Sequence, residues 1–177
     1  MIPAPEIDLE TATAGDRSLL SNLLELYIHD LSDIFSIKIG GDGRFGYDKL
    51  PLYWSAPDTH FAYLIRWNAE VAGFALVTRG SPASEDPDDL DVAEFFVLRA
   101  YRRGGIGRRA AFLLWDRRPG RWVVRVSEMN RPGLSFWENA IREYTHGAYT
   151  EKRHPGKSHM FRVFSFASAA GGEARHR

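Results

Sequence analysis

The chain has 177 residues, of which 44% are hydrophobic and 26% charged, as expected for one globular domain with its own core. Its 23 basic and 23 acidic side chains cancel, so no overall field draws it to nucleic acid or to a membrane surface. The absence of cysteine excludes disulfides, thiolate metal sites and a cysteine nucleophile. No apolar run approaches the roughly 20 residues of a membrane span, and residues 1–10 lack the pattern of a secretory signal. We therefore expect a cytoplasmic protein that binds neither nucleic acid nor membrane.

Residue patterning predicts a strand, a helix and a hairpin in the first half of the chain. Leucines recur at helical spacing after Asp16, a residue type that favours helix N-termini. Asn68 and Ala69 separate two apolar runs, as the residues of a hairpin turn do. In chain order we expect a strand over residues 7–11, a helix over 17–31, an irregular segment over 32–57, strands over 61–66 and 71–78, and a surface loop over 80–90.

Strands and helices alternate in the second half. Pro119 and Gly120 end one helix, and Pro132 lies where the next begins, because the first helical turn does not need its missing N–H. In chain order we expect a strand over residues 92–97, a helix from 106, a strand over 122–127, a helix from about 132, and strands over 147–152 and 161–166. This order predicts an α+β fold with a parallel strand pair at the centre of its sheet. We expect residues 1–167 to form a single domain and the small, polar residues 168–177 to form a flexible C-terminal tail.

The turn after the strand over residues 92–97 is the most informative stretch of the chain. Its glycines, at positions 104, 105 and 107, let a ligand approach the backbone and leave amide N–H groups free at a helix start. Arginines at positions 102, 103, 108 and 109 surround the turn with permanent positive charge. A phosphate-bearing ligand is the plainest interpretation.

Three other interpretations compete for the same turn. A tight turn without any ligand also needs glycines. A P-loop fits poorly, because no Gly-Lys-Ser/Thr follows the glycines. A dinucleotide-binding turn is the serious rival, since Gly105-x-Gly107-x-x-Ala110 satisfies its fingerprint and Glu128 ends the next strand. In that fold, however, the first glycine follows the strand almost at once, whereas residues 99–104 intervene here.

Two motifs resemble the GCN5-related N-acetyltransferase (GNAT) family. They are Arg102-x-x-Gly105-x-Gly107 and Asn130-Arg-Pro-Gly133-Leu-Ser-Phe136-Trp137. The first, after a strand ending in Val97, is similar to the family's acyl-CoA-binding motif, and the second to its Asn-x-x-Ala-x-x-Phe-Tyr helix start. The resemblance implies a GNAT-like mixed, mostly antiparallel central sheet with a splayed parallel strand pair, flanked by helices. Acyl-CoA would enter the gap between those two strands.

The resemblance also implies where acetyl-CoA is held as co-substrate, with no metal. Main-chain groups of residues 96–98 would pair with the pantetheine arm, amides of residues 103–108 would hold the pyrophosphate, and arginine side chains the remaining phosphates. Asn130 would contact the cofactor near the second strand of the pair. The implied cofactor-binding residues are Phe96, Val97, Leu98, Arg102, Arg103, Gly104, Gly105, Ile106, Gly107, Arg108 and Asn130.

Glu94 is the candidate for acid–base catalysis. It lies within an otherwise apolar strand, where an unpaired charge is costly to bury, and its carboxylate can accept an amine's proton or bind a cationic substrate. An ion pair with one of the many arginines is the structural alternative. By resemblance, the irregular segment would supply an aromatic and acidic wall of the acceptor pocket, although a cluster that merely pins the loop explains the same residues. The residues concerned are Asp42, Phe45, Tyr47, Asp48, Tyr53 and Trp54.

Two positions depart from the family pattern. Ala93 stands where the diamine and polyamine acetyltransferases carry the first of two adjacent acids. Trp137 stands where the family often has a tyrosine that acts as general acid, and an indole cannot do this. Tyr144, Tyr149 or solvent would then protonate the thiolate, or Trp137 marks a chain that binds acyl-CoA but turns over poorly.

We therefore predict an acyl-CoA-dependent N-acetyltransferase that moves an acetyl group from acetyl-CoA to a primary amine of a small molecule, by direct attack in a ternary complex. A non-catalytic acyl-CoA-binding or sensing module of the same fold and a dinucleotide-binding protein stay open as alternatives. Aminoglycosides, polyamines, amino-acid derivatives and protein N-termini all fit as acceptors. A homodimer is a further expectation, because it is common among the proteins that the chain resembles.

Overall fold

The secondary structure keeps the predicted order of elements. A computed structural model describes residues 6–169 of the chain. In chain order the elements are β1 (Ile7–Thr11), α1 (Arg17–Phe35), α2 (Leu52–Ser55), β2 (His60–Trp67), β3 (Glu70–Arg79), β4 (Leu90–Val97), α3 (Ile106–Arg117), β5 (Gly120–Ser127), α4 (Arg131–Thr145), β6 (Thr150–Pro155) and β7 (Met160–Ser168). Short 3-10 turns lie before α1, at Ala14–Asp16, and after β4, at Arg99–Tyr101.

Seven strands form one sheet in the order β1-β2-β3-β4-β5-β7-β6. Within residues 6–169, every neighbouring pair is antiparallel except β4 and β5, which run parallel at the centre. Helices α1 and α2 pack on one face of the sheet, and α3 and α4 pack on the other. The predicted α+β class, with a mostly antiparallel sheet, a central parallel pair and flanking helices, is confirmed.

The differences from the predicted elements lie at their ends. Helix α1 continues to Phe35, whereas the leucine pattern predicted an end at residue 31. The segment expected to be irregular contains the short helix α2. Strand β4 begins at Leu90, because residues 90 and 91 pair with β5 and so belong to the sheet and not to the preceding loop.

Each face of the sheet buries its own apolar cluster. Large buried side chains of the cluster on the α3 and α4 face include Tyr63, Trp115, Trp122, Trp137, Tyr144, Phe164 and Phe166. Those under α1 and α2 include Leu20, Leu23, Leu24, Tyr53, Leu64, Phe74, Leu76 and Phe96. Burial of one large apolar side chain contributes about 1.5–3 kcal/mol, so both clusters stabilise the sheet from either side. Of the leucines at helical spacing in α1, Leu20, Leu23 and Leu24 are buried in the core, whereas Leu19 and Leu31 are only partly buried.

The central parallel pair is splayed. Strands β4 and β5 pair only at Leu90 with Trp122 and at Asp91 with Val123. Beyond Asp91, β4 stays paired with β3 up to Val97, and β5 stays paired with β7 up to Ser127. The two strands therefore part along most of their length and open a gap toward their C-terminal ends, as predicted.

A β-bulge in β4 sets which side chains face this gap. Leu76 of β3 lies opposite Glu94, and its neighbour Val77 lies opposite Val92, so Ala93 is an extra residue without a partner. Side chains alternate between faces along a regular strand, and one extra residue reverses that alternation. As a result Asp91 and Glu94, three residues apart, share the face covered by α1.

The loop between β3 and β4 is a surface loop only in part. Ala83 is buried against Val123 and Val163, and its carbonyl accepts a hydrogen bond from Lys152 Nζ at 3.0 Å. Asp89 is also buried, whereas residues 85–88 are exposed as predicted. The loop thus covers the part of β5 and β7 that lies on the same face as α1 but that α1 does not reach.

The last described strand, β7, extends past residue 167, the predicted end of the domain. Ser168 is the final residue of β7 and is buried, and Trp122 Nε1 donates to its hydroxyl at 3.1 Å. The predicted tail from residue 170 onward lies outside the described residues. Among the helices of residues 6–169, none is long and apolar enough to span a bilayer.

Gly73 provides a test of how closely β3 and β4 approach. A Cβ at this position would lie 2.0 Å from the Phe96 carbonyl oxygen and 3.0 Å from Val97 Cα, both of them rigid backbone atoms. We expect Gly73→Ala to lower the free energy of unfolding by about 1–3 kcal/mol, measured by urea denaturation. Gly41→Ala is the matched control, since a Cβ there meets nothing within 4 Å. Equal stability of the two variants would contradict the close approach.

Candidate active site

The loop between β4 and α3 presents free backbone amides. Arg103 and Gly105 adopt left-handed conformations, with φ of 70° and 77°, and Gly105 is the N-cap of α3 without a capping side chain. The Gly105 carbonyl accepts from the Arg109 N–H at 3.0 Å, so the amides of residues 106–108 precede the first intrahelical bond. These amides lie at the positive end of the helix dipole and suit an anion.

The three glycines of the loop serve different purposes. Gly105 supplies the left-handed backbone that turns the chain into α3. A Cβ at Gly107 would lie 3.3 Å from the Phe136 ring and 3.5 Å from Val97 Cγ2, so this glycine allows α3 to pack closely. A Cβ at Gly104 would meet nothing within 4 Å, so that position faces open space. The glycine pattern thus combines a turn, a packing contact and an open approach to the backbone.

The register of β4 decides which backbone groups face the gap. The Leu98 N–H donates to the Ala72 carbonyl at 2.8 Å, which turns the main chain of Leu98 toward β3. Backbone groups alternate sides along an antiparallel ladder, so Phe96 also faces β3, whereas Phe95 and Val97 face the gap. Of the three residues expected to pair with a pantetheine arm, Val97 is therefore the one whose main chain is directed there.

Arg102 is held by protein groups in this structure. Its Nε donates to the Val97 carbonyl at 2.7 Å, and its Nη2 donates to Asp30 Oδ2 at 2.5 Å. Arg99 donates twice to the same carboxylate, at 2.7 and 3.0 Å. Burial opposes ionisation of Asp30, but these arginine hydrogen bonds outweigh it and lower the pKa of the carboxyl. Asp30, which the sequence did not single out, therefore fastens the loop to α1.

The other implied cofactor residues take varied positions around the loop. Arg103 and Gly104 are exposed, Ile106 is buried under α3, and Arg108 forms an ion pair with Glu143 of α4 at 3.0 Å. Asn130 caps α4, since its Oδ1 accepts the Gly133 N–H at 3.0 Å. Asn130 lies just after β5, as the sequence predicted. Its side-chain oxygen, however, already accepts a hydrogen bond from the first turn of α4.

Among residues 6–169, two phenols and no arginine form hydrogen bonds or ion pairs with Glu94. Tyr27 of α1 donates to Oε2 at 2.7 Å, and Tyr47 donates to Oε1 at 3.0 Å. Burial raises the pKa of Glu94, and the two phenol hydrogen bonds only partly offset this. Burial and then the charge of Glu94 raise the pKa of both tyrosines, so the phenols keep their protons and act as hydrogen-bond donors to Glu94. The alternative of a direct arginine ion pair is thus wrong for this residue.

Asp91 and Arg125 lie next to Glu94 on the same face. Arg125 of β5 donates to the two oxygens of Asp91 at 2.8 and 2.9 Å, and the Ser81 hydroxyl also donates to this carboxylate. Asp91 is completely buried, whereas the Arg125 side chain keeps 24% of its surface exposed. Burial opposes the charge of Arg125, but the bonds to Asp91 outweigh it and raise the pKa of the guanidinium. The pair joins β4 to β5 where their backbone pairing stops.

The segment after α1 is fixed so that Tyr47 reaches Glu94. Glu25 of α1 accepts the N–H groups of Phe45 and Gly46, at 2.7 and 3.0 Å, and lies 3.4 Å from Arg44 Nε. The hydrogen bond from the Phe45 N–H, more than any other contact, lowers the pKa of Glu25. Tyr47, one of the residues expected in the aromatic wall, is thus held in contact with Glu94.

The remaining members of the expected wall contribute less. Tyr53 is buried with its ring 5.1 Å from that of His60, and Trp54 lies under Arg17 at 5.1 Å. Asp42 accepts a hydrogen bond from its own loop, and Asp48 is exposed. For these residues, the observed packing is explained by the alternative interpretation, in which they only attach the loop to the domain.

The positions considered for a general acid are placed differently from the family pattern. Trp137 is buried, with its ring 5.0 Å from Phe95. Tyr144 donates to Asp116 at 2.8 Å at the C-terminal end of α4, which is the end remote from the open gap, because α4 starts where β5 ends. Tyr149 packs on Phe164 in the same cluster, on the face of the sheet opposite to Glu94. The tyrosines nearest to the site are Tyr27 and Tyr47, whose phenols contact Glu94.

Histidines form no metal site in the described part of the chain. His159 stacks between Phe35 and Phe161, with ring centroids 5.2 and 4.7 Å away. Within residues 6–169, no three His, Cys, Asp or Glu side chains come together in an arrangement that could hold a metal ion.

Sequence reasoning missed several residues of this site. The signals were present but weak: Tyr27 places a polar tip on an apolar helix face, and Asp30 follows it by three residues, close to one helical turn. Asp91 and Arg125 belong to the acidic and basic runs of the sequence, which gave no indication that they pair. Each contact joins residues far apart in the chain, and so local patterns cannot predict it.

Comparison with known proteins agrees with this geometry. Among solved structures, the fold is similar to an acetyltransferase from Thermus thermophilus, with a TM-score of 0.61 and 15% identity over 91% of this chain and 96% of that one. It is also similar to the aminoglycoside acetyltransferase AAC(6')-Ib, solved with ribostamycin and coenzyme A, with a TM-score of 0.63 and 15% identity over 92% and 93%. A third is yncA from Salmonella typhimurium, solved with its cofactor acetyl-CoA, with a TM-score of 0.59 and 13% identity over 96% and 99%.

The sequence itself gives the family. A search of curated proteins finds no match at the level required for homology. The sequence profile of the acetyltransferase (GNAT) family, however, matches residues 23–138, which include most of α1, the bulged strand β4, the loop before α3 and the start of α4. The chain therefore belongs to the GNAT family of acetyltransferases.

Proposed function

We propose that this chain is an acyl-CoA-dependent N-acetyltransferase, which moves an acetyl group from acetyl-CoA to a primary amine of a small molecule by direct attack in a ternary complex. The observation that carries the proposal is the position of Glu94 on the same strand as the gap-facing backbone of Val97. Three residues of a strand span about 10 Å, so a proton acceptor and an anion-binding loop lie at the two ends of one short segment.

The residues of the loop suit acetyl-CoA. The amides of residues 103–108 would hold its diphosphate, and the gap-facing backbone at Val97 would align its thiol arm. Arg103 and Arg109 are exposed and form no ion pair with any described residue, so their charges are available to further phosphates. The bound group would supply a thioester carbonyl as the electrophile. Solved neighbours that hold coenzyme A or acetyl-CoA support this assignment.

Glu94 is the proposed base. Each of its oxygens accepts one phenol, and a carboxylate oxygen has a second lone pair that can accept a proton from an ammonium group. Its raised pKa makes the carboxylate a stronger base than an exposed glutamate, which is required to produce a neutral amine. Tyr27 and Tyr47 hold the carboxylate in place and carry the protons nearest to it.

The partly buried Glu94 also affects stability. The folded state holds the Glu94 proton more tightly than the unfolded chain does, because burial raises the pKa. Between the ordinary glutamate pKa of 4.5 and that raised value, the folded state binds more protons than the unfolded state. Stability therefore falls as the pH rises through this interval. Such a loss is expected where a group is kept for its chemistry.

The first prediction concerns turnover. We expect wild-type protein to bind acetyl-CoA and coenzyme A, but not NAD, in calorimetry, and to acetylate members of a panel of primary amines, followed by thiol release. Glu94→Gln should lower kcat by about a hundredfold or more and remove the acidic limb of the pH–rate profile, with nearly unchanged affinity for coenzyme A. Binding without transfer to any amine would favour a sensing module, and NAD binding would favour the dinucleotide alternative.

The second prediction concerns the amide cradle. Alanine at Gly105 would be strained at φ of 77°, whereas alanine at Gly104 meets open space and keeps the same amide. We expect Gly105→Ala to weaken coenzyme A binding by about tenfold, consistent with roughly 1.4 kcal/mol of backbone strain, and Gly104→Ala to stay within about twofold. Calorimetric titration measures both variants. Equal affinities would show that the conformation of Gly105 does not shape the cradle.

The third prediction concerns pH and stability. The free energy of unfolding of Glu94→Gln, relative to wild type, should rise as the pH increases from about 4 toward neutrality, because the variant has no carboxyl to deprotonate. Urea denaturation of both proteins at several pH values measures this difference. Glu85→Gln, on the exposed loop before β4, corrects for the change in net charge. A difference that does not change with pH would contradict the raised pKa of Glu94.

A further inference from the structure

The two carboxylates on the α1 face differ in whether a positively charged side chain is bound to them. Asp91 is completely buried, both of its oxygens are bound by Arg125, and Ser81 donates to it as well. Glu94, on the same face, is bound within the described part of the chain only by neutral phenols. The charge of Asp91 is therefore balanced within the protein, while that of Glu94 is available to a ligand.

Other acids near this face are also engaged or exposed. Glu25 is turned to backbone N–H groups of the following segment, and Asp30 is turned to two arginines of the loop before α3. Asp42 and Asp48 are exposed, where water and salt screen their charges. Glu94 thus offers the one partly buried carboxylate among these groups that a cationic ligand can pair with.

The surroundings of Glu94 are positive and aromatic. Arg125 and Lys49 both act electrostatically on Glu94, and the Arg125 side chain keeps about a quarter of its surface exposed. Past Arg125, His159 and Phe161 form an aromatic edge with Phe35 at the end of α1. When the ammonium group of a ligand binds Glu94, the rest of the ligand therefore lies against positive charge or aromatic rings.

We infer that the amine acceptor of this site carries a single cationic nitrogen on an otherwise uncharged body, an inference that rests on the proposed acetyltransferase function. A second ammonium group would approach Arg125, whose partner Asp91 is buried behind it. Repulsion of that group selects against diamines and larger polycations, because rejection of the wrong ligand sets specificity as much as attraction of the right one does. Arg125 is thus assigned as a specificity-determining residue.

Matched amines test the inference directly. Hexylamine with hexamethylenediamine, and benzylamine with xylylenediamine, differ mainly in the second amino group, which is protonated near neutral pH. We expect kcat/KM for the monoamine of a pair to exceed that for the diamine by about tenfold or more in the wild-type protein. If no amine is acetylated, the proposed function fails. If both kinds are acetylated and the diamines are used equally well or better, the function stands and the inference is overturned.

Charge variants separate specificity from folding. Arg125→Gln uncovers the Asp91 carboxylate, and Asp91→Asn with Arg125→Gln removes both charges. The ratio of kcat/KM for the diamine to kcat/KM for the monoamine should be lowest in the wild type, higher in the double variant and highest in Arg125→Gln. The total increase from wild type to Arg125→Gln should be about tenfold. Lys49→Gln, at an exposed position, should raise the same ratio by about twofold without any effect on folding. An unchanged ratio in the double variant and in Lys49→Gln would overturn the assignment.

Discussion

The ion pair between Asp91 and Arg125 is the interaction on which the site depends. The backbones of β4 and β5 part immediately after Asp91, so a side-chain pair takes over from the hydrogen-bond ladder at the point of divergence. Removal of Arg125 would leave the completely buried Asp91 without its cationic partner, and breaking a buried ion pair in this way typically costs about 3–5 kcal/mol. The gap can therefore open toward the C-terminal ends of both strands while its closed end stays fixed.

Helix α1 connects the two halves of the site. Tyr27 and Asp30 lie close to one turn apart on this helix, and the first holds Glu94 while the second holds Arg99 and Arg102 of the loop. Arg102 in turn binds the Val97 carbonyl at the edge of the gap. One rigid helix thus positions both the proposed base and the loop that would bind the cofactor, as precise functional geometry requires.

Local sequence rules predicted most of the fold and the centre of the site. Glycine and arginine spacing located the loop before α3, and the resemblance of its motif predicted the splayed pair that the structure confirms. Glu94 was singled out because a charge within an apolar strand needs a partner, although the partner class was wrong: phenols bind it and not arginines. The bulge at Ala93 has no sequence signal, and so the shared face of Asp91 and Glu94 could not be predicted.

The sequence by itself determined the elements, their order and the loop chemistry, because these follow from periodicity and from the backbone freedom of neighbouring residues. Only the tertiary structure decided which charges are balanced and which are left for a ligand. Tyr27 contacts Glu94 across 67 positions, Arg102 contacts Asp30 across 72, and Arg125 contacts Asp91 across 34. Such pairs form because the sheet and α1 bring distant residues together, and no local pattern encodes that proximity.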